Sequence, residues 1–150
     1  MKLEQTDAGI DYLMNGGLGQ LVSAARNAIF ARLEEELAPL ELTSAQFVVV
    51  IGAMRGRART VNEFCAFAGV DAGAMSRLLD RLEMKGIVRR TRAETDRRQV
   101  QVELTEKGQS LSPQIMPALA RVYRQCLDGF SEGDAVQLQS LLQRLLANAG

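Results

Sequence analysis

The stretch Asp71-Ala-Gly-Ala-Met-Ser-Arg-Leu-Leu-Asp-Arg-Leu-Glu-Met-Lys-Gly86 runs on into Ile87-Val-Arg-Arg-Thr91, and Asp96-Arg-Arg-Gln-Val-Gln-Val-Glu-Leu-Thr105 closes the segment that decides the fold. In its first part Met75, Leu78, Leu79 and Leu82 recur at spacings of three and four, so they share one inward face of a helix. Gly73, Ala74, Arg77 and Arg81 then point outward, with Ser76 near the helix start. After Gly86 the period changes to two. Ile87 to Thr91 reads as one strand, and Val100, Val102 and Leu104, alternating with Gln101 and Glu103, read as its partner. The turn between them, about Arg92 to Arg98, carries the charge. A helix with small residues on its free face, followed by an arginine-tipped ribbon, suits the two grooves of duplex DNA.

The neighbouring segments complete the architecture. Thr60-Val-Asn-Glu63 is a capping box opening a short helix that stops at Gly69, and Asp71 caps the next helix. Two short helices joined at a glycine form a candidate helix-turn-helix. Phe64, Ala68 and Val70 would share a small core with Met75, Leu78 and Leu82, with Cys65 a small apolar residue at the crossing. Thr43-Ser-Ala-Gln46 is a second capping box, opening an apolar helix through Phe47 to Met54 whose end Gly52 and Gly56 mark. From about Ile10 to Leu37 the spacing is helical; Gly16, Gly17 and Gly19 weaken its start or admit a second backbone, and Pro39 ends it. Thr105 caps a long helix that Pro113 and Pro117 should bend or delay, and Ser131-Glu-Gly-Asp134 opens a last amphipathic helix. The expected fold is mainly α (α+β): four helices, a hairpin, two helices, in one domain spanning residues 1–150.

Composition narrows the function. A chain of 150 residues can bury a core without staples, and two cysteines do not make a disulfide framework. There is no histidine, which removes the commonest general base and metal ligand. No cofactor is expected. No apolar run approaches a membrane span, and Met1-Lys-Leu-Glu-Gln-Thr-Asp7 lacks the cationic, apolar start of a secretory signal, so a reducing cytoplasm without a membrane partner is expected. The net charge is zero, but it is unevenly distributed. Residues 55–98 hold eleven bases and six acids; the remainder holds seven bases and twelve acids. A basic middle between acidic ends is a local footprint for phosphates.

Within that footprint each residue type has a use. Gly73 and Ala74 permit close approach and contact with thymine methyls, and Ser76 can bond a base or a phosphate. Arg77 is suited to a bidentate guanine contact; its alternative is an i,i+3 pair with Asp80. Asp96 can pair with Arg98 and shape the turn so that Arg98 or Arg97 enters the minor groove, leaving Arg90 and Arg92 for phosphates. With Arg81, these are the expected DNA-facing residues.

Taken together, the motifs resemble those of the MarR family of bacterial winged-helix regulators. The resemblance rests on Asp96 to Gly108, on Ser76 to Val88 and on Leu42-Thr-Ser-Ala-Gln-Phe47, and extends over about Ile10 to Ala147. It implies a winged helix-turn-helix over residues 43–104, flanked by dimerisation helices at 10–38 and 105–148. It further implies a homodimer on a near-palindromic operator, with half-sites about 34–36 Å apart. Members usually repress, and release DNA when a small aromatic or phenolic effector binds between the dimer region and the winged domain. A branch that senses peroxide uses a first-helix cysteine that this chain lacks; Cys126, after the wing, would be a secondary sensor or dimer-interface packing.

Two other readings compete. A winged-helix dimer could bind proteins and not DNA, which buried or acid-paired arginines would favour. An enzyme would need Cys65 or Cys126 as nucleophile, and neither has a visible activating base.

Overall fold

Side chains that bond back to nearby backbone set the starts of most of the helices. The computed structural model describes Met14, residues 16–96 and residues 98–150. In chain order these form α1 (Leu18–Leu37), a 3-10 turn (Ala38–Leu40), α2 (Ser44–Met54), α3 (Val61–Ala68), α4 (Ala72–Met84), β1 (Val88–Arg92), β2 (Val100–Leu104), α5 (Glu106–Ser110), α6 (Ser112–Cys126) and α7 (Glu132–Ala149). Complete capping boxes open α2 (Thr43 with Gln46), α3 (Thr60 with Glu63) and α7 (Ser131 with Asp134). Asp71 and Thr105 cap α4 and α5 through their side chains. Each box satisfies amide groups that a helix start leaves unbonded.

The architecture is mainly helical with one two-stranded antiparallel sheet, as expected. Three boundaries differ. Gly17 adopts a left-handed conformation (φ 61°) immediately before Leu18, so the glycine cluster breaks the helix expected from Ile10; residues 1–13 and 15 lie outside the described set. Gly52 does not end α2. It is buried inside that helix, where a Cβ would stand 2.9 Å from the Phe67 ring: the glycine admits an aromatic ring. The long helix expected after Thr105 is two helices. Leu111 joins α5 to α6, Pro113 occupies the first turn of α6, and Pro117 is accommodated inside it.

The core joins the helix-turn-helix to its supports. Phe64 from α3 and Met75, Leu79 and Leu82 from α4 are fully buried with Val49 and Val50 of α2, Leu33 and Leu37 of α1, and Ile115 and Val122 of α6. Ala68, Val70, Leu78 and Cys65 pack against it half-buried. Gly69 (φ 66°) forms the left-handed turn between α3 and α4. Arg121 of α6 pairs with Glu36 of α1 at 2.8 Å, and Arg32 donates to Gln125 at 2.9 Å.

β1 and β2 pair from Val88↔Leu104 to Arg92↔Val100. A short third segment also lines the sheet. Val102 donates its N–H to the Arg59 carbonyl at 2.7 Å, and Thr60 bridges Gln101, which seats the start of α3 on the hairpin.

The junction after α4 is held by side chains of the segment that follows the hairpin. Thr105 donates its hydroxyl to the carbonyls of Gly86 and Ile87, and Lys107 donates to the Lys85 carbonyl at 2.8 Å. Gly108 lies against Ile87: a Cβ there would stand 2.2 Å from the Ile87 carbonyl oxygen. Lys85 in turn donates to the Glu41 carbonyl and to Oε1 of the buried Gln46.

Two stability predictions follow from these contacts. Gly108→Ala places its methyl against backbone and should cost about 3 kcal/mol in urea unfolding. Gly52→Ala crowds chiefly the half-exposed Phe67 ring, which can swing away, and stands at ordinary contact distance (3.5 Å) from the buried Phe64 ring; with the better helix propensity of alanine its cost should stay within about 1 kcal/mol. Equal losses in the two variants would contradict the assigned contacts. Acid should act on the capping carboxylates. Hydrogen bonds from Ser44, from Arg59 and Thr60, and from Ser131 hold Glu34, Glu63 and Asp134 respectively below their ordinary pKa values. Their contribution is therefore present at and above the ordinary carboxylate range and is lost as pH falls through the lower folded values. A Glu63→Gln variant should show a shallower loss of thermal stability on acidification than the parent protein.

Candidate nucleic-acid interface

α4 divides cleanly between core and solvent. Met75, Leu79 and Leu82 face inward, while Gly73, Ser76, Arg77, Asp80 and Arg81 are exposed and Ala74 is half-buried. The helix starts at Asp71, whose Oδ1 accepts the Ala74 N–H at 2.8 Å. A Cβ on Gly73 would stand 3.6 Å from Nη1 of Arg77, so that guanidinium folds back over the first turn of the helix. The glycine leaves room for it. Small residues, a hydroxyl and a five-donor cation thus lie on the solvent side of the first two turns, where a reading helix meets base edges.

The wing loop is closed by its own backbone. Ala93 donates to the Gln99 carbonyl at 3.0 Å and Gln99 to the Asp96 carbonyl at 2.9 Å, with Ala93 buried beneath. Asp96 was expected to pair with the Arg98 side chain. Its Oδ1 instead accepts the Arg98 backbone N–H at 3.0 Å, an Asx-type turn that leaves the Arg98 guanidinium exposed. Arg92 is exposed at the end of β1. Arg97 lies outside the described residues. Among the described residues, no ion pair engages Arg77, Arg81, Arg92 or Arg98.

Arg90 is placed differently from expectation. It was assigned to phosphate, but its Nη2 pairs with Asp80, its Nε lies 3.5 Å from Glu83, and its backbone N–H donates to Glu83 Oε1 at 3.3 Å. The alternative partner for Arg77 is therefore occupied, since Asp80 holds the wing arginine. The signal was present in the alternation of β1. Val88 is buried, so Arg90 shares its inward side, whereas Arg89 faces out and pairs with Glu103 at 3.1 Å. Periodicity alone gave no sign of the acceptors Asp80 and Glu83.

A cleft of about 590 Å³ opens behind the wing, lined by Met54 and Ala58, the exposed arginines Arg59 and Arg89, and Gln109 and Ser112 from the α5–α6 junction. Among the described residues no cluster of cysteine, aspartate or glutamate could hold a metal ion, and no single helix is long and apolar enough to cross a membrane.

Comparison with known proteins agrees with this geometry. The profile of the MarR family matches residues 39–99. The multiple antibiotic resistance protein MarR of Escherichia coli is 31% identical over 130 residues, covering 86% of this chain and 90% of that protein. The transcriptional regulator TtmR of Methylorubrum extorquens is 38% identical over 90 residues, 60% of this chain and 46% of its own length. Among solved structures, wild-type E. coli MarR in its apo form aligns with a TM-score of 0.74 over 86% of this chain and 96% of that one. A cysteine-to-serine variant of E. coli MarR complexed with operator DNA aligns with a TM-score of 0.79 at 29% identity, over 90% of this chain and 97% of that one. With identity, coverage and the winged architecture in agreement, the chain belongs to the MarR family and is a transcriptional regulator, not an enzyme.

Proposed function

We propose that this protein is a homodimeric repressor that grips a near-palindromic operator with α4 in the major groove and the wing beside it, and that a small aromatic or phenolic effector releases it. The observation that carries the DNA reading is the two-sidedness of α4: one face completes the core, and the other presents Gly73, Ser76, Arg77 and Arg81 unobstructed. Similarity to a chain solved on operator DNA supports the same use. In the protein-binding alternative the arginines would be buried or paired. Arg89 and Arg90 are paired, but Arg77, Arg81, Arg92 and Arg98 are exposed, which favours DNA.

The dimer is supported by α7. Not one of its eighteen residues is buried, and Val136, Leu138, Leu141, Leu142, Leu145 and Leu146 are all exposed. A contiguous apolar stripe of this kind marks an association surface. Leu18, Leu21 and Val22 of α1 are exposed in the same way, as expected if both chain ends interleave with a second copy. The cleft behind the wing is the candidate effector site: apolar Met54 and Ala58 suit a ring, and Arg59 suits an acidic or phenolic group. Cys65 and Cys126 are half-buried against the core, which does not favour an oxidant sensor.

Selection of genomic fragments by the purified protein, followed by gel-shift titration, tests this. Arg77→Ala should cost about 1–3 kcal/mol of discrimination at one base position. Arg98→Ala should weaken binding and lower the slope of log affinity against log salt by about one. Parent-like shifts by both variants would remove the assigned surface. Leu141→Glu with Leu145→Glu should yield monomers in sedimentation equilibrium and abolish operator binding. A dimer surviving both changes would move the interface away from α7.

A further inference from the structure

We propose that Arg90 is a positioning residue for DNA recognition: with Asp80 and Glu83 it forms a clasp that fixes the angle between the wing and α4. The proposal rests on the DNA reading above. Three contacts tie one residue of β1 to two residues a turn apart on α4: the guanidinium to Asp80 and to Glu83, and the main-chain N–H of Arg90 to Glu83. The Arg90 side chain is 27% exposed, and its Nε is buried with no hydrogen-bond acceptor beyond the 3.5 Å approach of Glu83. An arginine so held is withdrawn from solvent. A fork that meets carboxylates on one helix and is anchored on a neighbouring strand fixes orientation as well as distance.

The clasp also accounts for two acids on a helix that would face a polyanion. Asp80 and Glu83 lie on α4 beyond Arg77, where bare carboxylates would repel phosphates. Their presence on this helix fits a structural use, with Arg90 offsetting part of their charge. Asp80 follows Arg77 by one turn, so the residue that aims the wing is spaced directly behind the residue suited to a base edge. The wing loop from Ala93 to Gln99 follows Arg90 by three residues, and any change in the tilt of β1 is therefore carried to the tip that presents Arg98.

The double variant Asp80→Asn/Glu83→Gln separates this from a phosphate role for Arg90, because the two accounts predict opposite signs. If Arg90 serves phosphate, removing two negative charges beside it should tighten binding. The clasp predicts weakening by about five- to tenfold, the scale of coupling between charges in direct contact. It also predicts early loss of hydroxyl-radical protection in the minor groove next to the wing, while guanine protection in the major groove by α4 persists. Asp80→Glu, which keeps the carboxylate, should restore most of the affinity. Amide hydrogen exchange on the free protein supplies a readout without DNA: Arg90 and the wing amides should exchange faster in the double variant, while the α4 amides remain protected. Tighter binding, or wing exchange and protection like the parent's, would overturn the clasp. If the unaltered protein recovered no specific duplex, the DNA reading would fall and the clasp's role on DNA with it. Exchange would still decide whether the bridge holds the wing.

Discussion

The contact between Gly108 and the Ile87 carbonyl is the constraint on which the arrangement of this protein rests. Ile87 is the first residue after the left-handed turn at Gly86, and it joins the end of α4 to the start of the wing. Pinning its carbonyl under α5 fixes both at once. Thr105 bonds to Gly86 and Ile87 while its own oxygen caps α5, and Lys107 and Lys85 extend the grip to the α1–α2 corner. The segment Thr105-Glu-Lys-Gly108 thus has a physical reason for each of three residues: a hydroxyl that donates and caps, an ammonium that holds a helix-end carbonyl, and the one residue without a Cβ.

Much of this was legible from the residues. Capping boxes at Thr43 and Thr60, the cap at Asp71 and the turn at Gly69 are local chemistry, and local chemistry can be read in order along a chain. The change of period after Gly86 gave the hairpin to within a residue of its strands. Long-range approaches were harder to see. Gly52 looks like a helix end in sequence and proves to be a seat for Phe67, a residue from the next helix that no local pattern around the glycine announces. The third segment of the sheet, at Arg59 and Thr60, is too short to show a period. In the candidate site, the exposed face of α4 was read correctly from helical spacing. Arg90 was read for phosphate from its charge, whereas its register beside buried Val88 turns it toward Asp80 and Glu83.

Electrostatics follow the same division. A chain with no net charge carries its surplus of arginine where the fold exposes it, and several of its acids where they cap helices or tie elements together. Glu34, Glu63 and Asp134 hold amide groups at helix starts; Glu36, Glu83 and Glu103 hold arginines. These six acids are therefore structural in placement, and Arg77, Arg81, Arg92 and Arg98, without an ion pair among the described residues, stand apart from them.

The capping box of α7 has a consequence for how two chains would meet. Its first turn is ordered from within, by Ser131 and Asp134, and needs no neighbour to define it. A helix that arrives already wound gives up little conformational freedom on contact. Pairing of the leucine faces would then resemble the docking of two rigid bodies, with encounter and alignment setting its speed and coil-to-helix ordering contributing little.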